Sequence, residues 1–183
     1  MKGPVRHATE LAELLEPLEP WISEYANLLR DQFMAGGVVM FAGNGGSAAE
    51  AQHQAAEYIG IGQPALALSA DPAVLTALSN DHAYQVAFSR QVEAWASANW
   101  IIRPLLVLYS TSGMSMNIYT AALAASKQGW ECRALLGGDG GEVAEHLGKA
   151  ALVVPTYDVA LAQEAHLIIG HAVFEKVARS LGV

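Results

Sequence analysis

The stretch FAGNGGSAAEAQHQAAEYIG, residues 41–60, decides the fold. Preceded by Val38, Val39 and Met40, it opens as a short apolar run suited to a strand buried on both faces of a parallel sheet. Gly43-Asn44-Gly45-Gly46 then makes a tight turn. From Ser47 to Ile59 the residues read as a helix, with the Ser47 hydroxyl near its start, where it can cap free N–H groups. Glycines let a backbone approach a ligand closely, and a helix N-terminus offers unpaired donors and a dipole that favours an anion. The same helix carries His53 and Glu57 at i and i+4, on one face.

Working outward, the strand–turn–helix unit recurs. PALALS (64–69) is a second strand, and DPAVLTAL (71–78) a short helix capped by Asp71 with Pro72 in its first turn. Asn80-Asp81 reads as the turn after it, and Tyr84 to about Trp95 as another helix. RPLLVLYS (103–110) is a third strand, followed by a helix from about Ser115 to Gln128. ECRALLG (131–137) and ALVVP (151–155) are the fourth and fifth, with GGDGGEVAEHLG forming a turn and short helix between them. Asp158 caps a last helix to about Ser180. Before all of these, residues 8 to about 35 form a helix in which Leu11, Leu14, Leu15, Leu18, Trp21, Ile22, Tyr25, Leu28 and Leu29 recur at spacings of three and four. Pro17 and Pro20 kink or break it. This stripe is apolar enough to cover either the chain's own sheet or another subunit. The β–α alternation defines a doubly wound parallel α/β sheet, in which ligands bind beyond the carboxyl ends of the strands. We read one domain over 1–183, with a helical segment (1–35) and an α/β core (36–183).

Bulk properties narrow the function. Apolar residues at 52% and charged residues at 15% supply a core and argue against disorder. A net charge of −8 excludes a broad nucleic-acid surface and requires any anionic ligand to be held locally by N–H groups and hydroxyls. The single cysteine, Cys132, excludes an internal disulfide and a cysteine-rich zinc site, and reads as a packed apolar residue. The polar, charged start MKGPVRHATELAELLEP does not read as a signal peptide, and no apolar run is long enough to span a membrane, so a cytoplasmic setting is expected.

Two strand ends are dressed alike: Gly43–Ser47 after the first strand, and Ser110-Thr111-Ser112-Gly113-Met114-Ser115 after the third. The four hydroxyls of the second loop suit phosphate oxygens. Neither loop is a Walker loop, because no Gly-Lys-Ser/Thr follows. Gly43-x-Gly45-x-x-Ala48 fits a loose dinucleotide fingerprint, but Asp71 is better used as a helix cap. On the last helix, Gln163 and His171 are separated by about two turns plus 80° and can project to one side. With His53 and Glu57 they make a nitrogen/oxygen set for a divalent ion such as zinc, or an acid/base pair with orienting partners. On spacing alone His53–Glu57 also reads as a surface ion pair, and His166 is a rival to His171. His7, His82 and His146 carry no supporting pattern and read as surface residues.

Taken in order, GNGGSAAEAQHQAAE (43–57), VLTALSNDHAYQVAFSRQVEA (74–94), STSGMSMN (110–117), LLGGDGG (135–141) and VVPTYDVALAQEAHLIIGH (153–171) resemble the sugar isomerase (SIS) domain family, and within it the phosphoheptose isomerases. The resemblance implies a five-stranded flavodoxin-like sheet and a homotetramer with active sites between subunits. It implies that Ser110, Thr111, Ser112 and Ser115 hold a sugar phosphate, that Gly45, Gly46 and Ser47 line the substrate site, and that Asn80 and Asp81 contact the sugar. It also implies one zinc ion per subunit on His53, Glu57, Gln163 and His171, with Glu57 as base, His171 as acid, and sedoheptulose 7-phosphate as substrate. Non-catalytic relatives that bind a sugar phosphate or a replication initiator protein lack the catalytic carboxylate, which Glu57 supplies here. Some positions depart from the family. YIGIGQP (58–64) replaces a longer stretch with a Gly-Arg and further basic residues, Met114 and Met116 alter the second loop, Ala83 replaces a common Gly, and ASANWIIRP lacks a Gly-Asp. The missing arginine leaves room for another phosphosugar, or for a partner subunit that supplies the charge.

Overall fold

The computed structural model describes residues 4–98 and 104–183. Its centre is a five-stranded sheet of β1 (Val39–Gly43), β2 (Ala65–Ala67), β3 (Leu105–Ser110), β4 (Glu131–Gly137) and β5 (Ala151–Val154). All pairings are parallel and the spatial order is β2-β1-β3-β4-β5. The chain therefore winds outward one way from β1 and the other way from β3. The crevice between these two strands is the switch point at which such sheets bind ligands. Register places Gly43 beside Tyr109 and Ser110 beside Leu136, so both glycine-bearing loops leave the sheet at the same edge of this crevice.

Strand side chains alternate between two cores, as the two-residue period requires. Val39, Phe41, Leu105, Val107 and Tyr109 face α1 (Pro4–Leu15), α2 (Glu19–Met34), α3 (Gly46–Gly60) and α8 (Val159–Leu181). Met40, Ala42, Leu106 and Leu108 face the layer of α4 (Pro72–Asp81), α5 (Ala87–Ala96), α6 (Met116–Lys127) and α7 (Gly141–Leu147). The N-terminal stripe packs on the first core: Leu11, Ile22, Tyr25 and Leu29 are buried there, with Leu14, Leu15, Leu18, Trp21 and Leu28 half-buried around them. Glu16–Leu18 is a single tight turn of 3₁₀ helix containing Pro17, and it divides α1 from α2 as the prolines foretell. Cys132 lies in the second core, where burial pushes its thiol up to about 12.

Several boundaries differ from the sequence expectation for local reasons. β2 shortens to three residues because it is an edge strand that pairs with β1 alone. Asp71 accepts from the N–H groups of Ala73 and Val74, and α4 continues through Asp81, so Asn80 and Asp81 end a helix rather than form a turn after it. Tyr84–Val86 is a 3₁₀ turn before α5 begins at Ala87. The cap position of α3 belongs to Gly45, with φ +54°, and Ser47 lies two residues inside the helix, buried. Arg103, expected to begin the third strand, and Asn99–Ile102 of ASANWIIRP lie outside the described residues. No helix among the described residues is long and apolar enough to cross a membrane.

Candidate functional site

Capping separates helices that build the fold from helices that face the crevice. Asp71 caps α4, and Asp158 caps α8 by accepting from Ala160 and Leu161, each cap worth about 1 kcal/mol. At the crevice the cap positions of α3 and α6 are Gly45 and Ser115, and neither makes a side-chain cap bond. First-turn N–H groups there remain available to an anion. Between the two helix starts is a cleft of about 80 Å³ into which Ser47, Ser110, Thr111, Ser112 and Ser115 open. Asn44, Tyr109 and Gln163 complete its wall. Burial raises the Tyr109 phenol well above its ordinary range, so it stays a neutral hydroxyl.

The two loops are held to one another. Asn44 and Asn117 exchange side-chain hydrogen bonds, Nδ2 to Oδ1 in each direction at 2.8 Å. The Tyr84 hydroxyl donates to Asn44 Oδ1 at 2.6 Å and ties in the segment after α4. Within the second loop Gly113 N–H donates to Ser110 Oγ and Met114 N–H to Ser112 Oγ. Sequence reasoning assigned no role to Asn44, Asn117 or Tyr84. Their one visible signal is an asparagine shortly after each of two similar strand ends; the pairing itself spans 73 residues.

Beside this cleft, α3 and α8 bring together the residues expected to act as ligands or as acid and base. His53 Nε2 and His171 Nε2 are 2.9 Å apart, and Glu57 Oε1 is 3.7 Å from each. The imidazoles are about half exposed and the carboxylate one-fifth exposed, so the group is reachable from solvent. Two imidazole nitrogens and a carboxylate oxygen, with ligand atoms within 4.8 Å of one another, can hold a metal ion. The same atoms can move protons between oxygens of a bound substrate. Gln163 shares a cavity of about 490 Å³ with His53 and also lines the hydroxyl-rich cleft, so it stands between the two. Gly46 makes this possible, since a Cβ there would lie 2.2 Å from Gln163 Nε2. Among the described residues no lysine or arginine lines either cavity.

Other candidates fall elsewhere. His166 is fully buried on α8, its Nδ1 3.5 Å from Glu50 Oε2, and is not one of the converging groups. His7 pairs with Glu164 at 2.5 Å. Asn80 and Asp81 are exposed, bonded to one another at 2.9 Å, and line neither cavity.

Comparison with known proteins finds matches in both sequence and fold. Residues 6–137 match the model of the SIS domain. A phosphoheptose isomerase of Citrifermentans bemidjiense is 39% identical over 183 residues, a match covering 97% of this chain and 93% of that protein. The structure of phosphoheptose isomerase GmhA from Neisseria gonorrhoeae superposes with a TM-score of 0.85 at 37% identity, covering 96% of this chain and 92% of that one. A phosphoheptose isomerase from Francisella tularensis superposes with a TM-score of 0.87 at 28% identity, covering 95% and 93%.

Proposed function

The chain belongs to the SIS-domain family, among its phosphoheptose isomerases, and from that footing we propose that it converts sedoheptulose 7-phosphate to D-glycero-D-manno-heptose 7-phosphate with Glu57 as base and His171 as acid. The observation that carries the proposal is the convergence of His53, Glu57 and His171 beside a cleft of hydroxyls and uncapped helix starts.

The 7-phosphate sits in the Ser110–Ser115 loop, held by hydroxyls and first-turn N–H groups, with no lysine or arginine lining that cleft among the described residues. Gly45, Gly46 and Ser47 line the path from there to the reacting carbons. With the sugar open as its ketone, Glu57 takes a proton from C1 and leaves an enediol(ate). Returning a proton to C2 completes the aldose. His171 moves protons between the C1 and C2 oxygens, and His53 beside it keeps the donor and acceptor groups aligned. His53, Glu57, Gln163 and His171 would hold a zinc ion, one per subunit. When bound, such an ion supplies Lewis-acid polarisation of a carbonyl oxygen.

We place the enzyme in the cytoplasm as a homotetramer whose active sites form between subunits. Asn80 and Asp81 contact the sugar in this scheme; Tyr84, three residues beyond Asp81, is bonded to Asn44 in the cleft wall, which supports that role. The shortened YIGIGQP segment favours one second reading, an isomerase of a different phosphosugar. A panel of sedoheptulose 7-phosphate, fructose 6-phosphate and ribulose 5-phosphate, followed by NMR, separates these. Turnover fastest on the heptulose supports the proposal. Faster turnover of a smaller ketose shifts the substrate, and binding without turnover of any would make the protein a sugar-phosphate receptor.

A further inference from the structure

Gln54 occupies a place that proton transfer does not by itself require. It lies on α3 one turn before Glu57, is only 3% exposed, and sits in a seam with α8 that is otherwise built from residues such as Ala51, Ala55, Ala165 and Ile169. Its Nε2 donates to Glu57 Oε2 at 2.8 Å. The amide orientation follows from chemistry, since an ionised carboxylate only accepts. Glu57 Oε1, the other oxygen, is the one 3.7 Å from both imidazoles. On the facing helix, Gly170 immediately precedes His171. A Cβ at Gly170 would lie 2.6 Å from Gln54 Nε2 and 2.8 Å from its Cδ, so the glycine is the space in which the amide sits.

We propose that Gln54, seated against Gly170, is a positioning residue that clamps one oxygen of Glu57 so that the carboxylate presents only Oε1 to the His53–His171 pair. The inference rests on the isomerase reading of the same site. An unclamped carboxylate rotates about its last bond and offers either oxygen, or both, to a metal ion or a substrate proton. Outer partners of this kind typically change metal affinity or activity by about 10–100-fold.

Gln54→Met keeps the volume and removes the donor. Its kcat on sedoheptulose 7-phosphate is expected to fall about 10–100-fold, with KM within about twofold because the phosphate cleft is untouched. Zinc affinity, read by chelator competition without substrate, is expected to weaken about tenfold, with the melting temperature of the metal-free protein unchanged. Gly170→Ala should reproduce the kcat loss with Gln54 intact, by displacing its amide. In a Gln54→Ala background the same substitution should add nothing, because the new methyl enters vacated space; contacting residues that act together are non-additive in this way. Wild-type kcat and wild-type zinc affinity in Gln54→Met would overturn the clamp, as would additive losses in the double variant. A wild-type protein that binds zinc but turns over no member of the phosphosugar panel defeats the isomerase reading while the zinc series still decides the clamp. If wild type neither turns over substrate nor binds zinc, both are overturned.

Discussion

Glu57→Gln is expected to lower the rate of sedoheptulose 7-phosphate isomerisation by about 10²–10⁴-fold, the usual share of a positioned proton-transfer group, while the sugar phosphate still binds within about threefold of wild type. The amide matches the carboxylate in shape, so packing of α3 on α8 is retained, and it cannot take the C1 proton. The phosphate is held at a separate place, the hydroxyl-lined cleft after β1 and β3, to which Glu57 does not contribute. Steady-state kinetics give the rate and calorimetric titration with the phosphosugar gives the affinity. A variant that turns over as fast as wild type removes Glu57 from the chemistry. One that loses affinity in proportion to rate makes it a binding group instead.

Gly113→Ala is expected to damage phosphate binding more than any substitution of a single hydroxyl. Gly113 has φ +63°, and a Cβ there would meet the carbonyl oxygen of Gly140 at 1.8 Å. The left-handed backbone alone costs an L side chain about 1–2 kcal/mol, and a backbone clash adds to this because no flexible side chain can move aside. Gly113 also donates to Ser110 Oγ and accepts from Val143 N–H, so its displacement carries Ser110 and the start of α7 with it. We expect a melting temperature lower by at least about 5 °C and a KM for the phosphosugar raised roughly tenfold, about 1.4 kcal/mol. Gly129→Ala is the matched control. Its φ is +69° with open space around the added methyl, in the turn between α6 and β4. It should lose about 1 kcal/mol of stability with KM unchanged. Equal effects from the two substitutions would remove the special role given to the loop after β3.

What the sequence discloses is what local pattern encodes. The apolar run into Gly43, the glycines after it and the alternation that follows are enough for a parallel sheet with a switch point, and β4 runs over Glu131–Gly137 as its residues suggest. Asp71 and Asp158 announce their helices because a carboxylate cap acts within three residues of itself. Ser47 shows the limit of that logic. Its hydroxyl reads as a cap, yet Gly45 adopts the turn conformation and Ser47 turns into the cleft. Residues joined across the fold leave weaker traces. His53 and Glu57 are legible as a pair one turn apart, but that His171 and not His166 completes them depends on which face of α8 meets α3. The Asn44–Asn117 exchange and the seating of Gln54 against Gly170 have no local signature.

The central claim is that Glu57 moves a proton between C1 and C2 through an enediol(ate), and isomerisation of sedoheptulose 7-phosphate in D₂O tests it most directly. Proton NMR of the aldose should show deuterium at C2 in at least part of the product from the earliest conversions, because a proton taken by a partly exposed carboxylate exchanges with solvent before it returns. Aldose formed with its C2 hydrogen derived wholly from C1 would point to a direct hydride shift and would contradict the role given to Glu57; no aldose at all would contradict sedoheptulose 7-phosphate as the substrate.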